Sequence, residues 1–422
     1  MFENQNKSLK ARYLIETSVD LEKAAATLAG EQSSGTFIKL PGETAELLEK
    51  SAAEVLSIEP LESVEQPTLP GAKHRPGSPI QRALIEVCWP FTNIGANLPN
   101  LCSTVAGNLF ELNPFSGLKL LDIDIPIEFT QKYPGPGFGI EGTRSLTGVY
   151  QRPLVGTIIK PSVGLTPEQT ATQVKTLITA GLDFIKDDEL MGDSPHSPFR
   201  ERVDRVMEVI NQYAQDTGKK PMYAFNLSGD LEDMLARHDY VLDKGGTCIM
   251  INLNWVGLAA GIKITDHSQL PVHGHRNGWG IFDRSPLLGI GFAAYQKIWR
   301  VAGVDHLHTN GIRNKFCETD ASVLASIRAC LEPLFDGYPV MPVLSSGQWA
   351  GQAKDTYDQI QSTDLMYLCG GGIVGHPSGI EAGVKSIQQG WEAALKGISL
   401  EDYALEHAEL KEALDFYGKA SF

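Results

Sequence analysis

From Pro153 onward the apolar and polar positions keep one rhythm: a short apolar run, a loop, then an amphipathic stretch at helical spacing. The apolar runs fall at 154–160, 184–188, 222–227, 248–254, 271–276, 306–310, 340–345 and 365–369. Runs this short, bounded by polar loops and separated by helix-length segments, read as buried parallel strands. The helices between them carry start signals. Thr166-Pro167-Glu168 and Ser197-Pro198 set a capping oxygen before a proline, and Asp230 stands before Leu231-Glu232-Asp233. Eight strand–helix repeats predict an α/β chain with a C-terminal (β/α)8 TIM barrel, in preference to a doubly wound open sheet.

The first third has a different pattern. Strand-like runs at 9–15, 83–88 and 118–127 are mixed with helices over 20–28 and 98–106, each following a strand. This strand–helix repetition predicts an N-terminal α+β domain of ferredoxin-like type. Residues 64–79 are rich in Pro and Gly and read as a surface loop, and Tyr133-Pro134-Gly135-Pro136-Gly137 reads as the junction between domains. The expected division is therefore 1–138 and 139–422. Gly137-Phe138-Gly139-Ile140-Glu141-Gly142 matches GxGxxG, but no convincing strand precedes it and no βαβ unit follows, so a dinucleotide site is not expected there.

Composition narrows the function classes. A chain of 422 residues exceeds what one hydrophobic core serves, in keeping with two domains. A net charge of −15 repels a phosphate backbone and argues against nucleic acid as a partner. Six cysteines stand far apart with no CxxC pair, which reads as buried thiols in a reducing compartment rather than a zinc or disulfide framework. No run of about 18 uninterrupted apolar residues occurs, and the start lacks a basic region followed by an apolar stretch. A cytoplasmic protein with no membrane span is expected.

The chemistry sits at the strand ends, where a barrel gathers its active site. Strand one ends Lys160-Pro161-Ser162, strand two runs Phe184-Ile185-Lys186-Asp187-Asp188-Glu189, strand five His273-Gly274-His275-Arg276 and strand six His306-Leu307-His308-Thr309-Asn310. Strand seven ends Ser345-Ser346-Gly347 and strand eight Gly370-Gly371-Gly372. Alternation puts Lys186 and Asp188 on one face and Asp187 on the other, with Glu189 at the exit. Two carboxylates suit a hard cation such as Mg2+. An ammonium beside them would repel it, whereas a lysine that captured CO2 as a carbamate would become a third oxygen ligand. The plainer alternative is a salt bridge from Lys186 to Asp188 or Glu189. Gly347 and the glycine run are placed for backbone N–H groups to close on a phosphate, or for a tight turn alone. The two His-x-His pairs admit a zinc hydrolase of amidohydrolase type, but that arrangement needs its pair on the first strand, which here offers Lys160 and no histidine.

These residues, in this order, resemble the large subunit of ribulose-bisphosphate carboxylase and, more closely, the RuBisCO-like proteins (form IV), across nearly the whole chain. The resemblance implies a carbamylated Lys186 with Asp188 and Glu189 on Mg2+, and a proton-moving lysine at Lys160. It also implies catalytic roles for His275 and for Lys315 at the end of the loop 310–315. Arg276, His308, Ser345, Gly347, Gly370 and Gly371 match substrate and phosphate contacts. Glu31, Thr36 and Asn108 match contacts that the first domain makes in a neighbouring copy's site, which implies a homodimer with shared active sites, or a higher oligomer. Departures bear on function. Ser162 stands where carboxylases carry a second lysine, Trp279 replaces a histidine, Phe37 replaces a tryptophan, and the loop after strand six lacks its usual glycines.

Loss of a lysine from the carboxylating apparatus implies no useful CO2 fixation. What the resemblance keeps is enolate chemistry on a phosphorylated keto compound. The loop His308-Thr309-Asn310-Gly311-Ile312-Arg313-Asn314-Lys315 and the stretch 188–194 are most similar to the branch acting on 3-oxo-isoapionate 4-phosphate, by transcarboxylation and hydrolysis or by decarboxylation. Arg313 is an extra cation that could meet a substrate carboxylate. A 2,3-diketo-5-methylthiopentyl-1-phosphate enolase or methylthioribulose-phosphate isomerase is the nearest alternative. A non-catalytic barrel is the alternative of another class, and the cost of burying the whole polar rim argues against it.

Overall fold

The computed structural model describes residues 8–35, 41–73 and 77–419. These carry thirteen strands: β1 (Ser8–Thr17), β2 (Glu54–Val64), β3 (Ile80–Pro90), β4 (Phe115–Asp124), β5 (Leu154–Ile158), β6 (Phe184–Lys186), β7 (Met222–Asn226), β8 (Cys248–Asn252), β9 (Val272–His275), β10 (Leu288–Ile290), β11 (His306–His308), β12 (Met341–Leu344) and β13 (Met366–Leu368). They fall into two compact units, one of residues 1–134 with 278–302, the other of residues 135–277 with 303–422.

In the second unit β5 to β9 and β11 to β13 close into an eight-stranded parallel barrel. Each strand lies inside one of the eight apolar runs, with polar run ends such as Lys160, Asp188 and Asn310 left to the following loops. Inward side chains including Leu154, Phe184, Met222, Met250, Met341 and Met366 fill the interior, so the barrel is a packed core and not a pore. The capping signals met mixed outcomes. Thr166 caps the helix Pro167–Thr179 in a full capping box with Gln169. The helix Phe199–Thr217 takes no cap from Ser197: the Asp193 carboxylate accepts the Phe199 N–H instead, at 2.8 Å. Asp230 stands at the N-cap of Leu231–Asp243, but its side chain makes no capping bond.

The GxGxxG stretch opens the helix Gly139–Thr147, and its first N–H groups are already occupied from within the unit. Asp305, buried just before β11, accepts the Phe138 and Gly139 N–H groups on Oδ1 at 2.6 and 2.8 Å and the Val272 N–H on Oδ2 at 2.7 Å. Gly139 adopts φ 54°, and a Cβ there would stand 2.8 Å from the Pro339 carbonyl oxygen. The motif is thus a packing device joining a helix to β9 and β11.

The first unit holds a five-stranded sheet in the order β10-β4-β1-β3-β2. β1 to β4 are antiparallel and, with the helices Leu21–Glu31 and Leu98–Ala106, give the ferredoxin-like strand–helix order. Asp20 caps the first of these helices and Asn97 the second. Two strands of this sheet carry no sequence signal that reasoning used. β2 is an exposed edge strand with Pro60 within it, just before a register shift, and both an edge and a bulge tolerate proline. β10 comes from between two barrel strands and pairs in parallel with β4, Leu288 opposite Leu118. Trp279 opens this excursion and packs against Phe282, Phe292 and Tyr295.

Asp305→Asn leaves one oxygen to serve three N–H groups and turns an amide donor toward one of them. The variant is expected to lose about 2–4 kcal/mol of stability in equilibrium urea unfolding. An unchanged midpoint would remove the carboxylate from its role as the link between helix and barrel.

Candidate active site

Lys186 ends β6 and is buried, its side chain facing the barrel interior; alternation then sends Asp187 outward. Asp187 accepts the Tyr223 hydroxyl at 2.6 Å, the Asn226 N–H at 2.9 Å and Arg202 at 3.3 Å, which fixes the backbone on either side of it. Lys186 Nζ donates to the Asp187 carbonyl at 2.9 Å and lies 3.7 Å from Glu189 Oε2. Burial holds its pKa below the usual lysine value, with the charges of Glu189 and Asp188 acting the other way.

The neighbouring groups converge on the same end. Asp188 Oδ2 accepts Lys160 Nζ at 2.6 Å, and that amine also donates to Ser162 Oγ at 2.8 Å. Glu189 Oε2 lies 3.6 Å from His275 Nε2. The backbone carbonyl of Glu189 accepts the side-chain amides of Asn226 and Asn252, at 3.1 and 2.9 Å. Two carboxylates therefore face two amines at one barrel end. The donor set fits a hard divalent cation: Asp188 and Glu189 supply oxygen ligands, and the buried Asn252 Oδ1 is an acceptor with no hydrogen-bond partner. Lys186 is the amine whose ammonium charge would have to go.

The histidines divide. His273 and His306 are fully buried in the barrel, whereas His275 stacks edge-on to His308 at the mouth with ring centroids 4.3 Å apart. Burial pushes all four pKa values down, that of His306 to about 3. Among the described residues, the three-residue cluster with metal-ligand spacing is elsewhere, His238, Asp239 and His267 on two outer helices. Its atoms are spent on one another. Asp239 Oδ1 bonds to His238 Nδ1 at 2.9 Å and to His267 Nε2 at 2.6 Å, and the Gln269 N–H donates to His238 Nε2.

Arg276 is buried and donates to the Thr309 carbonyl at 2.7 Å and to Glu318 at 2.9 Å. Glu318 also accepts the Asn310 amide at 2.6 Å, and Asn310 in turn accepts Ser346 Oγ at 2.7 Å. Glu318 thereby ties together the segments after β9, β11 and β12. Lys315 lies exposed on this loop, its N–H on the Ser346 carbonyl. Arg313 is turned away to Asp355 and the Gly351 carbonyl, so it does not stand free for a substrate carboxylate.

The glycine run splits by role. A Cβ at Gly370 or Gly371 would meet nothing within 4 Å, while one at Gly372 would stand 2.4 Å from the Gln348 carbonyl oxygen. The first two line open space and the third is a packing glycine. Ser345 is buried beside His308, Nδ1 to Oγ 3.2 Å, and Gly347 is exposed with φ 93°. Glu31 and Asn108 are exposed on the first unit, and between them the Gln32 amide oxygen accepts the Asn108 N–H at 3.0 Å. Thr36 and Phe37 lie outside the described residues. Sequence reasoning missed Asn226, Asn252 and Glu318. The first two end β7 and β8 and carry the same strand-end signal as the rest; Glu318 has none.

Four imidazoles held neutral by burial refuse protons that the unfolded chain accepts. Stability is expected to be unaffected by them above pH 6.5 and to fall as pH drops from 6.5 toward about 3, where His306 protonates in the folded state. Each ring that refuses its proton contributes a limiting slope of about 1.4 kcal/mol per pH unit. Urea unfolding at pH 7.5, 6 and 5 measures it, and a flat profile contradicts it.

Residues 1–129 match the N-terminal domain of the ribulose bisphosphate carboxylase large chain, and residues 139–417 match its catalytic domain. The chain is 52% identical over 409 residues to a 3-oxo-isoapionate-4-phosphate transcarboxylase/hydrolase of Xanthobacter autotrophicus, covering 96% of this chain and 98% of that protein. It is 44% identical over 410 residues to a 3-oxo-isoapionate-4-phosphate decarboxylase of Rhizobium rhizogenes, covering 96% and 98%. Among solved structures, a rubisco-like protein from Burkholderia fungorum superposes with a TM-score of 0.91 at 43% identity, covering 97% of this chain and 100% of that one. With a closed parallel barrel, a ferredoxin-like first unit and similarity running through both, this chain belongs to the ribulose-bisphosphate carboxylase large-chain family, among its RuBisCO-like members.

Proposed function

We propose that this protein is a Mg2+-dependent enzyme acting through an enolate on 3-oxo-isoapionate 4-phosphate, as a transcarboxylase/hydrolase, and that it does not fix CO2. The observation that carries the chemistry is the meeting of Asp188, Glu189, Lys160 and the buried Lys186 at one barrel end. The substrate rests on the relatives at 52% and 44% identity that are named for it. Asp188, Glu189 and a carbamylated Lys186 would hold Mg2+, which when bound supplies Lewis-acid stabilisation of charge developing on a carbonyl oxygen.

The chain's own residues account for the remaining tasks. Burial raises the share of neutral Lys186 amine, the form that captures CO2. Lys160, partly exposed and tethered between Asp188 and Ser162, is held where it can move a proton at the substrate carbon. His275, kept neutral by burial, is a second proton carrier beside Glu189. The open backbone at Gly370 and Gly371, with Gly347, suits phosphate oxygens. Arg276, braced by Glu318, is assigned to substrate or phosphate contacts, and Lys315, exposed on the loop beyond Asn310, to the catalytic cations. Glu31, Thr36 and Asn108 are assigned to the site of a second copy, in a homodimer with shared active sites. Ser162 accounts for the absence of carboxylation: a short hydroxyl accepts from Lys160 where the carboxylases place a second cation.

Purified protein with Mg2+, bicarbonate and 3-oxo-isoapionate 4-phosphate is expected to cleave a carbon–carbon bond with uptake of one water and no net release of CO2, the products being identified by NMR; stoichiometric CO2 release would instead place it with the decarboxylases. Lys186→Ala and Asp188→Asn should each lower the rate by about a thousandfold or more. Undiminished turnover in Lys186→Ala or without a divalent cation would sink the mechanism. Preferred conversion of the diketo thiosugar phosphate would move the substrate to the thioether branch. With 13C-bicarbonate, a carbamate resonance is expected in the parent protein and not in Lys186→Ala, and labelled CO2 should not be incorporated into ribulose bisphosphate.

A further inference from the structure

An unbroken hydrogen-bonded file runs through the barrel interior. Thr143 Oγ1 lies 2.5 Å from the Gly139 carbonyl oxygen and 2.8 Å from His306 Nε2. His306 Nδ1 lies 3.3 Å from His273 Nδ1, His273 Nε2 2.8 Å from His308 Nε2, and His308 Nδ1 3.2 Å from Ser345 Oγ. All five residues are buried.

The proton positions along this file follow from its first member. Two oxygens 2.5 Å apart, one of them a carbonyl, need a hydrogen between them, and only Thr143 has one to give. Thr143 Oγ1 is then an acceptor toward His306, which must carry its proton on Nε2. Burial keeps the three rings neutral, so each has one N–H and one bare nitrogen. His306 Nδ1 is bare and accepts from His273 Nδ1–H. His273 Nε2 is bare and accepts from His308 Nε2–H. His308 Nδ1 is bare, and the Ser345 hydroxyl is the donor it meets. Ser346, whose own hydrogen goes to Asn310, is the other acceptor in reach of the Ser345 hydroxyl, at 3.4 Å against 3.2 Å for His308 Nδ1, and the shorter contact takes the hydrogen.

We propose that Thr143, through His306 and His273, fixes the tautomer of His308, so that His308 is a positioning residue for Ser345 and donates no hydrogen bond to a bound anion. This revises the phosphate-contact role that family resemblance implies for His308, and it rests on the functional reading only in taking the barrel mouth as the ligand site. Both His308 nitrogens are engaged inside the protein. Ser345, its hydrogen committed inward, turns lone pairs outward and receives a hydroxyl or N–H of the ligand. Phosphate oxygens, which accept and do not donate when ionised, are left to backbone N–H groups.

Neutron diffraction from deuterium-exchanged crystals, or NMR of 15N-histidine protein, locates the ring protons without any turnover. The expected pattern is a proton on Nε2 of His306, Nδ1 of His273 and Nε2 of His308. A proton on Nδ1 of His308, or a doubly protonated ring, overturns the proposal, as does a switch of His308 to an Nδ1–H donor on adding inorganic phosphate. Thr143→Val, which removes the acceptor while keeping the shape, is expected to release His308 into mixed tautomers. It should raise KM for the keto sugar acid phosphate about tenfold with kcat nearly kept, and Thr143→Ser should restore both. A Thr143→Val protein with the parent tautomers and KM removes Thr143 from the role. Should Thr143→Val fail to fold, the ring protons of the parent and of Thr143→Ser still decide. If no phosphorylated keto sugar acid is turned over, the functional reading falls while the ring-proton pattern is judged on its own.

Discussion

The barrel mouth is organised around one amine taken out of water. Lys186 sits at the inner end of β6 with its Nζ on a backbone carbonyl, and the nearest carboxylate oxygen, from Glu189, stands at 3.7 Å. That separation is longer than a good ion pair, so the carboxylates return only part of the solvation the ammonium gives up. An amine held this way is biased toward its neutral form. Of the two acids, Asp188 is paired with Lys160 at 2.6 Å, while Glu189 has only the longer approaches of Lys186 and His275. This is the arrangement on which the proposed carbamate and divalent cation rest: a neutral-leaning amine beside two carboxylates.

The rest of the mouth holds that arrangement still. Asp187 turns outward and is gripped by Tyr223, Arg202 and the Asn226 N–H, so the strand cannot rotate its two acids away from Lys186. Asn226 and Asn252 clamp the Glu189 carbonyl. On the opposite side Glu318 joins Arg276 to Asn310 and, through Asn310, to Ser346. Bonds to the charged Asp187, Arg276 and Glu318 are the strong ones; with the neutral links they join the ends of β6, β7 and β8 in one group and the segments after β9, β11 and β12 in another. A site assembled from six separate strand ends and the loops beyond them needs such cross-links to keep its groups in register.

The chain also shows how similar motifs come to carry different work. Of three consecutive glycines, two front open space and one admits a neighbouring carbonyl. Of two His-x-His pairs, the first member of each is buried in the barrel as part of a hydrogen-bonded file, and the second stands at the mouth. The GxGxxG hexapeptide presents helix N–H groups, but to Asp305 of its own unit. A sequence pattern states which groups are available; the surrounding fold decides what they meet.

Much of this protein was legible in the residues alone. The eight barrel strands, the N-terminal α+β pattern and the convergence of Lys160, Lys186, Asp188, Glu189 and His275 follow from short-range rules. Periodicity fixes which way a side chain points, and a barrel puts all its strand ends on one rim. What tertiary structure decided was everything set by distant partners. The parallel pairing of β10 with β4 joins residues some 170 positions apart, so no local pattern announces it. β2 has little apolar face to betray it, since it lies exposed at a sheet edge. Glu318 became a hub, and Arg313 was claimed by Asp355, because of side chains 8 to 42 residues away. The direction of the imidazole protons depends on a threonine on another element. Alternation and capping are properties of neighbours along the chain; pairing and proton placement belong to neighbours in space, which only the folded state selects.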